Sequence, residues 1–504
     1  MTTAAAARPR LFWLWAALIV VVGGALRLYD LGGPSLWVDE VYTGLRARVS
    51  LADTLMLVRN TSNQTPFYYM VLHAYPTGSD FALRSFSVLM GMVGIIGMMW
   101  GVARLYRSPW LALGAGVLLA LNPYHIWLSR TARVYALIFV LALIASYAFL
   151  RLLAGERRRA HWIAFVLASM AGYVSHYFMA WLALAQYIVF GFLLRRKRVL
   201  FRRWIVAQAI AVVPLLLYML HASKPAPGRG WIPEPTLPDL LLTVSAMTIG
   251  TGDSIPLLAV PGLIAVLAGL GAGLVYAARH YRAEPDLWYW FWLVVGTLGI
   301  VFAASLLVRP MYVDRYFVVI LPALIVLMLR GWQWLAGSRR PYLAVGAVVL
   351  VALTGAAITL DVFRAGDHYK EDWRGVAEYV AADFRPGDGA LADYPAEVIA
   401  FKRYFLQAEL PPYAWYDADD PLAISPFEEP VTRVWVMTRT TTDEGAHQNE
   451  IALARASDGP VPEKYTPPWV LARRDRVLAE KQFNGLAVFL VDTRDEAEQL
   501  AGAE

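Results

Sequence analysis

Two adjacent carboxylates, Asp39 and Glu40, follow the first long apolar run of the chain and come directly after Leu36-Trp37-Val38. An acidic side chain beside the hydrocarbon core of a bilayer is costly unless it faces water, a partner or a substrate. An acidic pair in this position is therefore a candidate for function. We predict that it marks the catalytic loop of a membrane enzyme.

Further polar residues recur where other apolar runs end. Arginine near a helix end often reaches towards lipid headgroups, and tyrosine is common at membrane interfaces. We interpret Arg309 as an arginine of this headgroup-binding kind. We favour function for Arg133 and Arg315, because both stand close to a tyrosine on the side of the membrane that carries few basic residues. A guanidinium group matches a phosphate through two parallel hydrogen bonds. The predicted phosphate-binding or donor-binding residues are Arg84, Arg130, Arg133, Tyr135, His176, Tyr177 and Arg315.

The composition is typical of a membrane protein. Hydrophobic residues make up 58% of the 504 residues and charged residues only 17%, with a mean hydropathy of +0.47. The chain contains no cysteine, which excludes disulfides, thiolate metal sites and thiol catalysis. The formal net charge is +6, but the basic residues form short clusters between apolar runs, so we predict the lipid bilayer and no nucleic acid as a partner.

Apolar runs close to the length of about 20 residues that crosses a bilayer recur through residues 1–361. They predict a polytopic α-helical membrane region of about eleven spans, the fifth and sixth of which are short. The predicted spans are 11–29, 81–105, 109–127, 134–153, 161–174, 177–194, 204–221, 255–278, 287–307, 315–334 and 343–361.

Arginine and lysine predict the orientation of these spans. If the N-terminus is cytoplasmic, the basic clusters at 104–107, 151–159, 195–203, 279–282 and 330–340 all fall inside, as the positive-inside rule requires. We therefore predict a multi-pass protein of the plasma (inner) membrane with an uncleaved first helix. With an odd number of spans, the acidic pair and everything after residue 361 lie on the outer face.

Two long outer loops follow from this topology. The loop 30–80 contains an amphipathic stretch at 42–58, which we expect to lie in the membrane interface. The loop 222–253 is rich in proline and glycine, and its sequence fits a flexible lid and a structural connection equally well.

After residue 361 the composition changes, and shorter elements follow. Helices are predicted at 368–388, 396–406 and 444–456, and strands at 433–437 and 486–491. We therefore predict a small extracytoplasmic α/β domain over 362–504. It shows no glycine-rich phosphate loop and no nucleophile motif, so we expect it to recognise the acceptor or to cap the active site.

Several of these stretches, taken in order, resemble the landmarks of one family, the GT-C membrane glycosyltransferases. Within it, the branch of the protein O-mannosyltransferases and the lipid A aminoarabinose transferases is the most similar. The resemblance covers nearly the whole membrane region and is weak in the C-terminal part. The stretches that carry it are Arg27-Leu28-Tyr29, Trp37-Val38-Asp39-Glu40, Pro66-Phe67-Tyr68-Tyr69, Leu83-Arg84-Ser85, 129–135, His176-Tyr177, Arg315-Tyr316 and Asp372-Trp373-Arg374.

The resemblance implies an inverting hexosyl- or pentosyltransferase. Such an enzyme moves a sugar from a polyprenyl-phosphate donor to a glycan, lipid or protein acceptor at the outer membrane face. In that chemistry Asp39 is the candidate base for the attacking hydroxyl, and Glu40 orients the acceptor or holds Asp39 in place. The donor-binding residues named above are the candidates for stabilising charge on the leaving lipid phosphate.

Two positions depart from the family pattern. Gln64-Thr65-Pro66 stands where many members carry a basic residue or histidine followed by Pro-Pro, and Thr131 stands where many carry an acid.

The resemblance implies that no cofactor or metal is required. Carboxylates suit Mg²⁺ and Mn²⁺, but adjacent residues such as Asp39 and Glu40 rarely both coordinate one ion.

A transporter or flippase of a lipid-linked sugar is the alternative function. It predicts ionisable residues near the middle of the bilayer and inverted repeats with broken helices. The centres of the predicted spans carry almost no ionisable residues, and the polar groups crowd one face. These observations favour the enzyme.

Overall fold

The computed structural model describes residues 3–60, 65–156, 158–221, 232–251, 255–364, 371–392, 395–405, 412–415, 427, 431–440 and 460–495. Its α-helices are α1 (Thr3–Leu28), α2 (Val38–Arg48), α3 (Leu51–Asn60), α4 (Phe67–His73), α5 (Asp80–Tyr106), α6 (Pro109–Ala120), α7 (Pro123–Ser129), α8 (Tyr135–Leu153), α9 (Arg159–Tyr173), α10 (Ala180–His221), α11 (Leu237–Ile249), α12 (Val260–His280), α13 (Pro285–Leu307), α14 (Leu321–Ala336), α15 (Pro341–Arg364), α16 (Trp373–Asp383), α17 (Pro395–Tyr404) and α18 (Pro468–Leu471). Its strands are β1 (Asp388–Ala392), β2 (Tyr413–Trp415), β3 (Arg433–Arg439), β4 (Val477–Phe483) and β5 (Leu486–Asp492).

The described part of the chain has eight helices that are long and apolar enough to cross a membrane, or nine if α6 and α7, which meet at 63°, form one bent span. The predicted fifth and sixth runs form α9 and the apolar helix Tyr177–Leu193, both shorter than the others. The second of these joins the rest of α10 at a kink at Lys197. The polytopic membrane fold is thus confirmed, whereas the count of eleven spans is not.

The described residues divide into two compact units. The first comprises the chain up to Leu31 together with Arg46–Asp361. The second comprises Gly32–Leu45 and the described residues after Asp361. The segment that carries the acidic pair, which the sequence places in the outer loop of the membrane region, therefore clusters with the C-terminal domain.

The break between α6 and α7 follows from one short motif. The residue before a proline is disfavoured in the helical conformation, so Pro123 ends α6 at the preceding turn. Asn122 then caps α7, because its side-chain oxygen accepts a hydrogen bond from the backbone N–H of His125 at 2.7 Å. Its side-chain nitrogen donates to the carbonyl oxygens of Met247 and Thr248, so α7 is fixed against α11.

Helices α12 and α14 pack with their backbones in close contact. A Cβ atom at Gly331 would lie 1.8 Å from the carbonyl oxygen of Gly269, and one at Gly273 would lie 2.1 Å from that of Leu327. Glycine at both positions is therefore required by the crossing. Small residues that let helix backbones approach are typical of packing in membranes.

Loop 222–253 is helical in part. Residues 237–249 form α11, which begins with a capping box between Thr236 and Asp239. Residues 222–231 and 252–254 lie outside the described residues, so the lid stays a prediction.

The second unit contains a five-stranded mixed sheet of order β2-β1-β3-β5-β4. Strand β1 pairs in parallel with β2 and β3, whereas β5 pairs antiparallel with β3 and β4. Apolar side chains from these strands form a buried core with Trp469 and Val470, including Leu391, Val434, Val436, Phe489 and Val491. The predicted α/β class of this domain is confirmed.

Most predicted elements of this domain have counterparts in the structure. The strands at 433–437 and 486–491 and the helix at 396–406 correspond to β3, β5 and α17. The helix predicted over 368–388 ends earlier, at Asp383, because the backbone becomes extended at Phe384; Gly387, with a φ of +87°, lies in the turn that leads into β1. The helix predicted at 444–456 lies outside the described residues.

Candidate active site

Four side chains from three separate places in the first unit come together, and we call them the Arg315 cluster: Arg315, Tyr316, Tyr135 and His176. Arg315 Nε donates a hydrogen bond to Tyr135 Oη at 3.1 Å, and its guanidinium carbon lies 5.7 Å from the ring centre of Tyr316. The ring centre of His176 lies 4.9 Å from that of Tyr316 and 6.0 Å from that of Tyr135. Three of these residues are predicted from the sequence, so the structure brings part of the predicted site together.

The segment that carries Arg315 is held by its neighbours. Thr243 Oγ1 donates to Asp314 Oδ1 at 2.9 Å, and Tyr124 Oη donates to the Asp314 carbonyl oxygen at 2.9 Å. Tyr312 Oη donates in turn to Thr243 Oγ1, also at 2.9 Å. Because α7 and α11 both bind Asp314, the backbone next to Arg315 is fixed before any ligand arrives, as a preorganised site requires.

His176 is fixed by its own turn. Its backbone N–H donates to the Gly172 carbonyl oxygen at 2.8 Å, and its Nδ1 accepts from the backbone N–H of Phe178 at 3.2 Å. A neutral imidazole that accepts at Nδ1 carries its proton on Nε2. The ring therefore presents an N–H donor on the side away from its turn.

Arg133 and Tyr177 are each close in sequence to a member of the Arg315 cluster. Arg133 is half-buried in the turn between α7 and α8, two residues before Tyr135. Ser87 Oγ donates to its carbonyl oxygen at 3.4 Å. Tyr177, which follows His176, is exposed.

Arg84 and Arg130, two further predicted donor-binding residues, contact backbone carbonyl oxygens. Arg84 is fully buried, and its Nη1 donates to the carbonyl oxygen of Leu31 at 3.0 Å. Arg130 Nη1 donates to the carbonyl oxygen of Tyr29 and, at 3.4 Å, to that of Arg27. Both guanidinium groups therefore hold backbone at and beyond the C-terminal end of α1, where carbonyl groups lack helical partners.

The sequence analysis assigns no role to a third buried arginine, Arg27. Its Nη1 donates to the carbonyl oxygens of Gly23 and Ala120 at 2.8 and 3.0 Å. Its Nη2 lies 2.8 Å from His125 Nδ1, and its Nε donates to Ser129 Oγ at 3.3 Å. The signal for this network is the landmark Arg27-Leu28-Tyr29, but nothing in the sequence indicates what the arginine binds.

A second arginine that sequence reasoning missed is Arg46. It is buried, its Nη1 donates to Tyr69 Oη at 3.4 Å, and its guanidinium carbon lies 5.3 Å from the Tyr69 ring centre. Tyr218 is close enough to interact electrostatically with Tyr177, Tyr69 and Arg46. The aromatic pair Tyr68-Tyr69, which is one of the landmarks, was the available signal for this group.

The acidic pair lies in the second unit, in the first turn of α2. Asp39 is half-buried, and Glu40 is fully buried. Successive residues of a helix point about 100° apart, so the two carboxylates face different surroundings. The N-terminal end of a helix also favours a negative charge.

Among the described residues, no group of three or more His, Cys, Asp or Glu side chains has an arrangement that would hold a metal ion. Independence from metal stays a prediction.

The chain is similar to known proteins in its fold, whereas its sequence matches neither a family model nor a curated protein. ArnT from Cupriavidus metallidurans in the apo state is similar with a TM-score of 0.60 and 14% identity, over 96% of this chain and 98% of that chain. The same protein bound to undecaprenyl phosphate gives 0.55 and 15%, over 94% and 98%. An oligosaccharyltransferase from Archaeoglobus fulgidus gives 0.44 and 10%, over 84% and 68%.

The likeness to ArnT extends over nearly the full length of both chains. At this level of identity it concerns the architecture, which consists of apolar membrane helices followed by a domain with a small sheet. The chain therefore has an ArnT-like fold, which confirms the predicted class of a polytopic α-helical membrane protein with a C-terminal α/β domain.

Proposed function

We propose that this protein is an inverting glycosyltransferase that moves a hexosyl or pentosyl group from a polyprenyl-phosphate donor to a glycan, lipid or protein acceptor. The reaction takes place at the outer face of the plasma membrane, with the N-terminus of the protein in the cytoplasm and its C-terminal domain outside. The observation that carries the proposal is the Arg315 cluster. It combines a guanidinium, a phenol and an imidazole N–H at the start of a membrane span, and these groups suit a lipid phosphate.

The solved structure of ArnT bound to undecaprenyl phosphate supports the choice of donor. That protein shares the fold of this chain and binds a polyprenyl phosphate, so we assign a lipid of the same chemistry as the carrier of the donor sugar here. The Arg315 cluster and Arg133 would bind its phosphate, and Tyr177 would contact the donor beside it. We assign Arg84 and Arg130 to the backbone contacts described above.

The proposed reaction is a direct displacement at the anomeric carbon. Asp39 accepts the proton of the acceptor hydroxyl while the oxygen attacks the anomeric carbon from the face opposite to the phosphate. The bond between that carbon and the phosphate oxygen breaks, and its electron pair leaves with the polyprenyl phosphate. Arg315, Arg133 and His176 stabilise the charge that develops there. Glu40 orients the acceptor or supports Asp39.

The test is an assay of donor turnover with purified protein in detergent. A panel of radiolabelled polyprenyl-phosphate sugars is incubated with membrane extract as the source of acceptors, with and without chelator, and release of polyprenyl phosphate is followed. We expect one donor to be consumed, and we expect the chelator to leave the rate unchanged because the proposed base and phosphate ligands are side chains.

The variant Asp39→Asn keeps the shape of the base and removes its ability to accept a proton. We expect its turnover to fall by about 10²-fold or more, which is the scale of a lost general base, while binding of the donor persists. Asp53→Asn makes the same chemical change at an exposed position of α3 and is the matched control. If Asp39→Asn turns over donor at the wild-type rate, the assignment of Asp39 as the base fails. If no donor is consumed by the wild-type protein, the enzyme proposal fails and a liposome assay of lipid flipping tests the transport alternative.

A further inference from the structure

We infer that the C-terminal domain sets the position of Asp39 and that Glu371 is the residue through which it does so. This inference rests on the proposed role of Asp39 as the base. It assigns the domain a part in catalysis in addition to any contact with the acceptor. The contacts that support it all lie within the second unit.

The segment that precedes Asp39 is bound by the start of α16 and by the end of α17. The backbone N–H of Leu36 donates to Tyr404 Oη at 2.7 Å. Ser35 Oγ accepts from the backbone N–H of Arg374 at 3.0 Å, and Arg374 Nη1 donates to the Gly33 carbonyl oxygen at 2.9 Å. The segment is thus held at three residues before α2 begins, at Gly33 and Leu36 through the backbone and at Ser35 through its side chain.

The start of α2 has an unusual cap. The residue before the helix is Trp37, whose side chain has no oxygen with which to accept a hydrogen bond from the exposed N–H groups of the first turn. Glu371 Oε2 accepts from the backbone N–H of Val38 at 3.2 Å instead. A carboxylate distant in sequence therefore takes the place of the usual capping side chain, and Asp39 is the next residue of the helix.

Glu371 is itself rigidly held. Its Oε2 accepts a hydrogen bond from Trp373 Nε1 at 2.7 Å, and its Oε1 lies 3.0 Å from Arg439 Nε. Arg439 also pairs with Glu397 at 3.1 Å. The Glu371 side chain is only 2% exposed. A fixed carboxylate at the helix start would keep the first turn, and with it Asp39, from fraying.

Asp388 provides a matched comparison in the same domain. It is also buried and accepts hydrogen bonds from one arginine and one tryptophan, at 2.8 Å from Arg433 Nε and 3.0 Å from Trp435 Nε1. Arg433 keeps a second carboxylate partner, Asp383, at 3.0 Å, as Arg439 keeps Glu397. The backbone that Asp388 binds is that of its own turn, at Arg385, rather than the start of α2.

The experiment compares Glu371→Ala with Asp388→Ala in the full-length protein, measuring kcat, donor KM and thermal unfolding for each. We expect Glu371→Ala to lower kcat about tenfold or more, since small misplacements of a catalytic group have effects of this size or larger, with donor KM unchanged. We expect Asp388→Ala to lower stability and to retain kcat per folded molecule. Equal losses of kcat in the two variants would overturn the inference, because they would indicate a general structural role.

Two further variants keep the outcome decisive. If Glu371→Ala does not fold, Ser35→Ala removes one of the other contacts to the segment, and we expect a several-fold lower kcat with unchanged donor KM. Wild-type kcat in Ser35→Ala would then contradict the inference. Asp39→Asn separates the two proposals: if that variant is inactive while Glu371→Ala is fully active, the positioning role fails and the proposed function stands.

Discussion

Three buried arginines of the first unit hold packed backbone, whereas Arg315 contacts aromatic side chains of the predicted site. Arg27, Arg84 and Arg130 donate to backbone carbonyl oxygens, most of them near the end of α1. Arg315 donates to the hydroxyl of Tyr135 and lies against the ring of Tyr316. A side-chain partner can reorient when a ligand binds, whereas a backbone carbonyl within packed helices cannot. We therefore expect the three arginines that bind packed backbone to act mainly in the fold and Arg315 to bind a phosphate.

The sharpest test of this comparison is Arg315→Ala. We expect kcat/KM to fall by about 10²- to 10³-fold, because a preorganised donor to the developing charge is lost, while the unfolding temperature changes little. Turnover of the donor and thermal unfolding in detergent are measured on the same preparation. A variant that is unstable but active per folded molecule would move Arg315 to the structural group.

Arg27→Met should show the opposite pattern. The substitution leaves the carbonyl oxygens of Gly23 and Ala120 without this donor, and we expect a loss of about 1–3 kcal/mol in the free energy of unfolding for each group left unsatisfied. Turnover per folded molecule should stay within about twofold of wild type, since no contact to the substrate is removed. A large fall in kcat at unchanged stability would show that Arg27 acts in the reaction.

Arg130→Gln tests the boundary between the two groups, because the sequence predicts Arg130 as a donor ligand and the structure shows it bound to backbone. Glutamine still donates, so we expect the free energy of unfolding to fall by only about 1 kcal/mol. The measurement is chemical unfolding alongside binding of radiolabelled polyprenyl phosphate. Weakened lipid binding at full stability would restore the sequence prediction.

The smallest expected effect is that of Tyr135→Phe. The change removes the hydroxyl that accepts from Arg315 Nε, and a single hydrogen bond of about 1 kcal/mol corresponds to roughly a fivefold fall in kcat/KM. The double variant with Arg315→Ala should show no further loss, because both changes remove the same contact. Additive losses would mean that Tyr135 acts on the donor independently.

Much of the fold could be predicted from the sequence, because long apolar runs leave a chain few alternatives to membrane helices. The assignment of residues 32–45 to the second unit could not be predicted, because it depends on contacts such as the one between Val38 and Glu371, which are 333 positions apart in sequence. No local pattern reports such a contact. The two short elements predicted at 161–174 and 177–194 agree to within two residues with the helices Arg159–Tyr173 and Tyr177–Leu193, because polar residues interrupt the apolar runs there.

The candidate site was predictable in part. The sequence signal of the predicted site residues is their position at the end of an apolar run. The structure brings three of them, Arg315, Tyr135 and His176, together. Arg130 and Arg133 have the same sequence signal, but Arg130 is the C-cap of α7 and binds the backbone at the end of α1, whereas Arg133 lies in the turn before α8. Which backbone groups lie within reach of a guanidinium depends on tertiary packing, and sequence spacing does not contain that information.

The glycine contact between α12 and α14 has a consequence for Arg315. The turn Asp314–Ile320, which carries this arginine, continues directly into α14, and α14 meets α12 backbone to backbone at Gly331. A single methyl group at Gly331 would force the two helices apart and so shift the arginine from more than a dozen residues away. We therefore expect that a substitution at Gly331, near the other end of α14, lowers activity although it lies far from Arg315.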